Sequence, residues 1–294
     1  MPEGKIIKAL SGFYYVLSEK DEITQCRGRG VFRKKKITPL VGDEVVFQAE
    51  NDKEGYILEI KDRKNELVRP PIANVDQAIL VFSSVEPTFS TALLDRFLVL
   101  VEFNQITPII CITKMDLANP EQQIKIRGYA EDYRKAGYEV ILTSSETEEG
   151  INELFPFLDN AISVFAGQSG VGKSSLLNVL RPDLDIKTDD ISSHLGRGKH
   201  TTRHVELIAI NEGLVADTPG FSSLEFTDIE LEDLNSCFPD IQAKSEECKF
   251  RGCLHLKEPK CAVKAANESG EIPAYRYEHY IAFLQEIKER KPRY

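Results

Sequence analysis

The sequence predicts an α/β domain of alternating buried strands and helices around a glycine-rich loop. A small β-barrel precedes it, and a short, mainly helical, cysteine-rich segment follows. Three observations predict this. Gly167-Gln168-Ser169-Gly170-Val171-Gly172-Lys173-Ser174 stands between an apolar run at 162–166 and the helix-forming run Ser175–Leu180, the strand–turn–helix order of a phosphate-binding loop. Short strand-like runs crowd residues 4–60, as in a small barrel. Cys248, Cys253, His255 and Cys261 lie close together near the end of the chain, the donor set of a closed tetrahedral metal site.

At 294 residues, with 41% hydrophobic and 29% charged residues, the chain has room for two or three domains of ordinary globular composition. No apolar run approaches the ~20 residues needed to cross a bilayer, so no membrane partner is expected. Met1–Lys5 lacks the apolar core of a signal peptide. Cys26, Cys111 and Cys237 stand apart and are expected to be ordinary buried thiols, and a cytosolic location follows. The net charge of −10 argues against nucleic acid only as an average. Arg27, Arg29, Arg33, Lys34, Lys35 and Lys36 form a basic run without an acid, while the acidic excess lies in 146–153 and 225–240.

Residues 1–66 are read as the barrel. Strands are expected at 4–10, 13–17, 23–27, 41–48 and 55–60, with a Ser11-Gly12 turn and the basic loop between the third and fourth. This number and spacing fit an oligonucleotide-binding (OB) barrel, with Phe13, Tyr14, Tyr15, Phe32 and Tyr56 available for stacking and the cations for phosphate. Pro70-Pro71 then predicts an extended connector.

Residues 67–224 are read as the α/β domain. Buried strands are expected at 77–82 and 108–112, with a core-facing helix over 91–103 between them. The second strand ends in Thr113-Lys114-Met115-Asp116. A carboxylate at Asp116, shut away from water, would accept from the ring N–H and the exocyclic amine of guanine and penalise adenine, which lacks that amine. The Lys114 stem can pack along the base. A strand at 138–142 ends in Thr143-Ser144-Ser145, where Ser144 and Ser145 can meet the guanine carbonyl.

In the phosphate loop, Gly167, Gly170 and Gly172 let the N–H groups of residues such as Gln168, Ser169 and Val171 curl inward, and the helix N-terminus beginning near Lys173 and Ser175 adds positive potential. Lys173 can reach the β- and γ-phosphates, and the Ser174 hydroxyl can ligate Mg²⁺. A polar segment, 192–204, follows. Thr201 or Thr202 can complete the Mg²⁺ shell, with Thr202 preferred. Strands at 205–210 and 214–216 lead to Asp217-Thr218-Pro219-Gly220, where Asp217 suits Mg²⁺ through water and the Gly220 N–H the γ-phosphate. Phe221 occupies the place where many GTPases carry a water-orienting glutamine. Slow unaided hydrolysis is therefore expected, with His200 the nearest candidate to position water.

Guanine recognition here precedes the phosphate loop, and the two switch segments come last. That is a circular permutation of the usual GTPase order, and it runs the second switch straight into residues 225–294. Four ligands leave no open position, so the zinc is expected to be single and structural. Lys249, Arg251, Lys257, Lys260 and Lys264 offer a second RNA surface, and 275–294 is an amphipathic tail with Tyr277, Tyr280, Ile281, Leu284 and Ile287 on one side.

The fold class is thus a circularly permuted α/β P-loop GTPase domain with an N-terminal OB-fold barrel and a C-terminal zinc-binding, mainly helical domain. Over its whole length the chain resembles the small-ribosomal-subunit-dependent RsgA (YjeQ/YloQ) GTPase family, particularly its Bacillus-type members. The resemblance implies a cytoplasmic monomer that binds GTP and GDP, is stimulated by the small ribosomal subunit during its late maturation, contacts ribosomal RNA and releases an assembly factor. It also implies a catalytic role for His200, in a G-K-H-T-T segment. Thr113 departs from the commoner Asn and should brace the guanine loop slightly less well. Two other readings use the same motifs: an RNA-binding assembly placeholder whose hydrolysis is incidental, and a P-loop ATPase with an accidental T-K-M-D.

Overall fold

A computed structural model describes residues 1–49, 54–68, 70–184, 205–217 and 224–290. In chain order the elements are β1 (Glu3–Leu10), β2 (Phe13–Ser18), β3 (Ile23–Gly28), α1 (Gly30–Lys34), β4 (Glu44–Ala49), β5 (Glu54–Ile60), β6 (Glu66–Val68), β7 (Pro71–Ala73) and β8 (Gln77–Ser83). They continue with α2 (Thr91–Phe103), β9 (Thr107–Thr113), α3 (Pro120–Lys135), β10 (Glu139–Leu142), α4 (Phe155–Leu158), β11 (Ile162–Ala166), α5 (Lys173–Leu180), β12 (Glu206–Ile210) and β13 (Gly213–Asp217). The last are α6 (Pro239–Ser245), α7 (Ala262–Glu268) and α8 (Ala274–Glu289). The chain divides into two compact units, Met1–Ile79 with Gly150–Ser222 and Leu80–Glu149 with Ser223–Tyr294.

In the first unit, β1–β5 close on themselves in the order β1-β2-β3-β5-β4, with β4 returning to β1. The β3–β5 pair is parallel and the others antiparallel, the ordering of an OB barrel. Alternation places Ile6, Val16, Cys26, Val45, Phe47 and Ile57 inside, each no more than 3% exposed. The basic run is partly helical: α1 forms there, pinned by buried Phe32, while Arg27, Arg29, Lys34, Lys35 and Lys36 face solvent.

The diproline is not an extended connector. Pro71 opens β7, which pairs antiparallel with β6 so that Leu67 faces Ile72. A proline is accepted at the first residue of a strand because no ladder N–H is needed there. Also in this unit, β11 runs parallel to β13, β12 antiparallel to β13, and Lys8 of β1 lies opposite Glu206 of β12 and pairs with it.

In the second unit β9 lies between β8 and β10, parallel to the latter. β8 is buried at every position, as expected of a strand covered on both faces. Ser90 caps α2 by accepting from Leu93 N, and Asn119 with Gln122 forms a capping box on α3. The helical end of the chain packs around Phe238, Ile241, Tyr280, Phe283, Leu284 and Ile287, together with Val99 of α2. Tyr280, Leu284 and Ile287 are buried as the tail's periodicity requires, and the buried stripe also includes Arg276.

Candidate functional site

The glycine-rich loop leaves β11 at Ala166 and enters α5 at Lys173. Gly170 and Gly172 hold φ of 80° and 99°, a left-handed backbone that suits glycine. Gly172 caps α5, its carbonyl accepting from Leu176 N. Gln168, Ser169 and Gly170 are exposed, Gly167 and Ser175 half-buried, and Val171 and Ser174 buried. Lys173 folds over its own loop, Nζ donating to the carbonyls of Gly167 (2.9 Å) and Gln168 (2.6 Å). Burial pulls its pKa down to about 8, because the charged form loses solvation.

Phosphates held in this loop would offer Lys173 the countercharge that the Gly167 and Gln168 carbonyls lack. Triphosphate binding should therefore take up a proton above pH 8. The expected outcome is an affinity that weakens with rising pH beyond 8, by at most about tenfold per pH unit. Titration of nucleotide binding from pH 7 to 9.5 in wild type and Lys173→Arg checks this: the arginine variant should bind without that slope.

The Thr113–Asp116 segment lies in the second unit at the end of β9. The Thr113 hydroxyl donates to Phe82 O (3.2 Å), and Ser84 N donates to Thr113 O. Lys114 stands in a left-handed conformation, φ 59°. Its carbonyl accepts from the Ser84 hydroxyl (2.8 Å), and its Nζ donates to Glu86 O (2.6 Å). Met115 is buried, and its N–H donates to Thr143 O, which brings this segment beside 143–145. Ser144 is buried and its hydroxyl accepts from Thr147 N; Ser145 is half-buried. Asp116 itself is exposed, so only a base lying over it would remove it from water. The loop at 84–86 that braces Lys114 has no signature in the sequence, since its contacts are to main-chain carbonyls.

The four metal-type side chains converge. The donor atoms of Cys248, Cys253, His255 and Cys261 all lie within 4.8 Å of one another. His255 Nδ1 is 3.3 Å from Cys261 Sγ and 3.7 Å from Cys248 Sγ, and those two sulfurs are 3.8 Å apart. Tetrahedral zinc, with bonds of ~2.3 Å to sulfur and ~2.0 Å to nitrogen, separates its donors by roughly 3.5–3.8 Å. The cluster fits that ion.

The ring is aimed from behind. Asn235 Nδ2 donates to the Ser245 hydroxyl (3.0 Å), which leaves Asn235 Oδ1 to accept from His255 Nε2 at 3.1 Å. Nδ1 is then the bare nitrogen, and it faces the sulfurs. Tyr277 donates to His255 O (2.6 Å), fixing the backbone of a residue held at φ 61°. Cys26, Cys111 and Cys237 are buried free thiols and are not members of this cluster.

Asp217 ends β13, and its side chain lies outside what the structure describes; His200, Thr201, Thr202, Gly220 and Phe221 lie outside the described residues altogether. Among the described residues no helix is long and apolar enough to cross a membrane.

A strand, glycine-rich turn and lysine-led helix, with a T-K-M-D turn at the end of another buried strand earlier in the chain, define a circularly permuted P-loop GTPase. The model of the RsgA N-terminal domain matches residues 3–57 and that of the RsgA GTPase matches residues 60–227. The chain belongs to the RsgA GTPase family. It is 70% identical to the small ribosomal subunit biogenesis GTPase RsgA of Bacillus cereus over 294 residues, and 69% identical to that of Bacillus subtilis over 298, all of both chains being covered in each case. Among solved structures it is similar to YloQ, a circularly permuted GTPase, with 65% identity and a TM-score of 0.88 over 100% of this chain and 97% of that one. It is also similar to YjeQ from Thermotoga maritima, with 38% identity and a TM-score of 0.87 over 99% of each chain.

Proposed function

We propose that this GTPase hydrolyses GTP slowly alone and faster on the small ribosomal subunit, acting late in that subunit's maturation in the cytoplasm and leaving with release of an assembly factor. The observation that carries the reading is full-length identity of about 70% to small ribosomal subunit biogenesis GTPases, with phosphate loop, guanine segment and Cys₃His cluster all present in this chain. The working division is a barrel at 1–66, a GTPase domain at 67–224 and a metal-bearing domain at 225–294, in a monomer.

Roles follow the chemistry of the residues. Gly167–Ser175 would cradle the phosphates, and Thr113–Asp116 with Ser144 and Ser145 would select guanine. Ser174, Thr202 or Thr201, and Asp217 would hold Mg²⁺, which supplies countercharge to the phosphates. The Gly220 N–H would sense the γ-phosphate and His200 would orient water. One structural zinc would occupy the Cys₃His cluster. The exposed cations Arg27, Arg29 and Lys34–Lys36 on the barrel, and Lys249, Arg251 and Lys257 beside the metal loop, are suited to ribosomal RNA phosphate.

The test is hydrolysis of GTP and ATP with and without purified small subunits. Slow GTP turnover that rises strongly only with the subunit is expected; equal rates would remove the partner, and preference for ATP the base. Asp116→Asn replaces an acceptor by a donor and should cost GTP about 10²-fold or more in affinity while gaining xanthine nucleotides. His200→Ala should lower turnover with GTP binding intact.

A further inference from the structure

Between Asp217-Thr218-Pro219-Gly220 and the first helical turn of the metal-bearing lobe, Leu234–Cys237, the described chain from Leu224 to Asp233 carries no helix or strand. A loose linker there would pass no displacement from the second switch to the lobe. This one is held.

Arg96 of α2 donates from Nη1 to Leu224 O (3.0 Å) and forks onto both carboxylate oxygens of Glu286 in α8, Nη1–Oε1 at 2.9 Å. Its guanidinium also lies 4.5 Å from the ring centroid of Phe226 and 4.8 Å from that of Phe283, two rings that meet edge to face at 5.1 Å. One side chain of α2 therefore touches both the linker and the last helix. The ion pair holds the Glu286 carboxyl below the usual range, and the fork with stacking is a geometry lysine cannot copy. Arg290, just past α8, grips the same stretch: it donates to the carbonyls of Phe226 (2.5 Å), Thr227 (2.8 Å) and Ile229 (3.1 Å), and to Glu230 (2.9 Å).

We propose that Arg96 is a positioning residue that locks the chain leaving the second switch to both α2 and α8, so that nucleotide state at the phosphate loop reaches the metal-bearing lobe. This rests on the proposed GTP-driven cycle, but its decisive readout needs no ribosome. Physically, coupling requires an element whose state both ends bias; a linker fixed at Leu224 and again at Phe226–Glu230 can carry a displacement, and comparing two nucleotide states tests whether it does. An exposed ion pair alone would not carry one.

The experiment is amide hydrogen exchange on the full, zinc-loaded chain with GDP and with a non-hydrolysable GTP analogue. In wild type, peptides covering 224–231 and the end of α8, 281–290, should exchange differently in the two states, as should 167–174. In Arg96→Ala the difference at 281–290 should vanish while that at 167–174 persists; Arg96→Lys, which keeps charge without the fork, should restore only part. Small-subunit-stimulated GTP turnover should fall about tenfold in Arg96→Ala, a typical size for coupling between sites, with unstimulated turnover unchanged. A nucleotide response at 281–290 that survives Arg96→Ala overturns the proposal, as does a wild type that responds at 167–174 but not at 281–290. A wild type without subunit stimulation removes the ribosomal reading and leaves the exchange result to decide the joint.

Discussion

Arg276→Met is expected to destabilise the second unit by about 3–5 kcal/mol, the cost of breaking a buried ion network from one side. Arg276 is 1% exposed, and its partners Asp95 and Asp240 are buried or nearly so. Nη1 donates to Asp95 Oδ1 (2.5 Å), while Nη2 and Nε fork onto Asp240 at 2.6 and 3.1 Å. The guanidinium lies 4.8 Å from the Phe238 ring centroid and within 5.6 Å of those of Tyr133 and Tyr138. Methionine fills much of the volume but leaves two carboxylates without their cation. Among the described residues, Asp95 keeps the Tyr133 hydroxyl (2.9 Å) and His279 Nδ1 (2.6 Å). Urea unfolding followed by circular dichroism checks this. Arg276→Met combined with Asp95→Leu and Asp240→Leu should recover most of the loss, because no charge is then stranded. If the single variant unfolds at the wild-type midpoint, the network contributes nothing.

That network also shows where sequence reading stops. Strands such as 162–166 and the helix at 91–103 were legible because burial on two faces or one leaves a continuous or periodic apolar run. The phosphate loop was legible because its φ angles and its lysine need particular residue types at fixed spacing. Arg276 was missed although it heads the α8 stripe, one turn before Tyr280, that continues to Leu284 and Ile287; a cation there reads as solvated until its partner, 181 positions away, is known. Asn235 was missed for the same reason, being twenty residues from the histidine it aims. The 70–71 prolines misled because a hairpin and an extended connector make the same local demand on φ.

Withdrawing the zinc proposed for the Cys₃His cluster should open the loop from Cys248 to Cys261 while leaving α8 helical. Structural zinc in small peptides is worth about 10–16 kcal/mol of apparent binding energy, which rivals the whole stability of an ordinary domain, about 5–15 kcal/mol. Beyond the Tyr277 and Asn235 bonds to His255 and the packing of Leu254, the loop has few ordering contacts: Phe250 is 44% exposed, Leu256 36%, and Lys249–Leu256 contains no helix or strand. By contrast, Tyr280, Phe283 and Leu284 of α8 sit in a core with Val99, Phe238 and Ile241, and Arg276 ties that helix to α2. A strong chelator should therefore loosen the backbone around the already exposed Lys249, Arg251, Lys257 and Lys260 enough for trypsin to cut there while far-ultraviolet circular dichroism falls only slightly, and added zinc should restore protection. Asn235→Ala separates ligand aiming from ligand number: with all four donors kept but His255 free to turn, zinc affinity should drop about 10–100-fold without loss of helix. Cys253→Ser, which deletes a donor, should weaken zinc further still. Unchanged zinc affinity in Asn235→Ala would mean that Tyr277 and the backbone of His255 suffice to aim the ring.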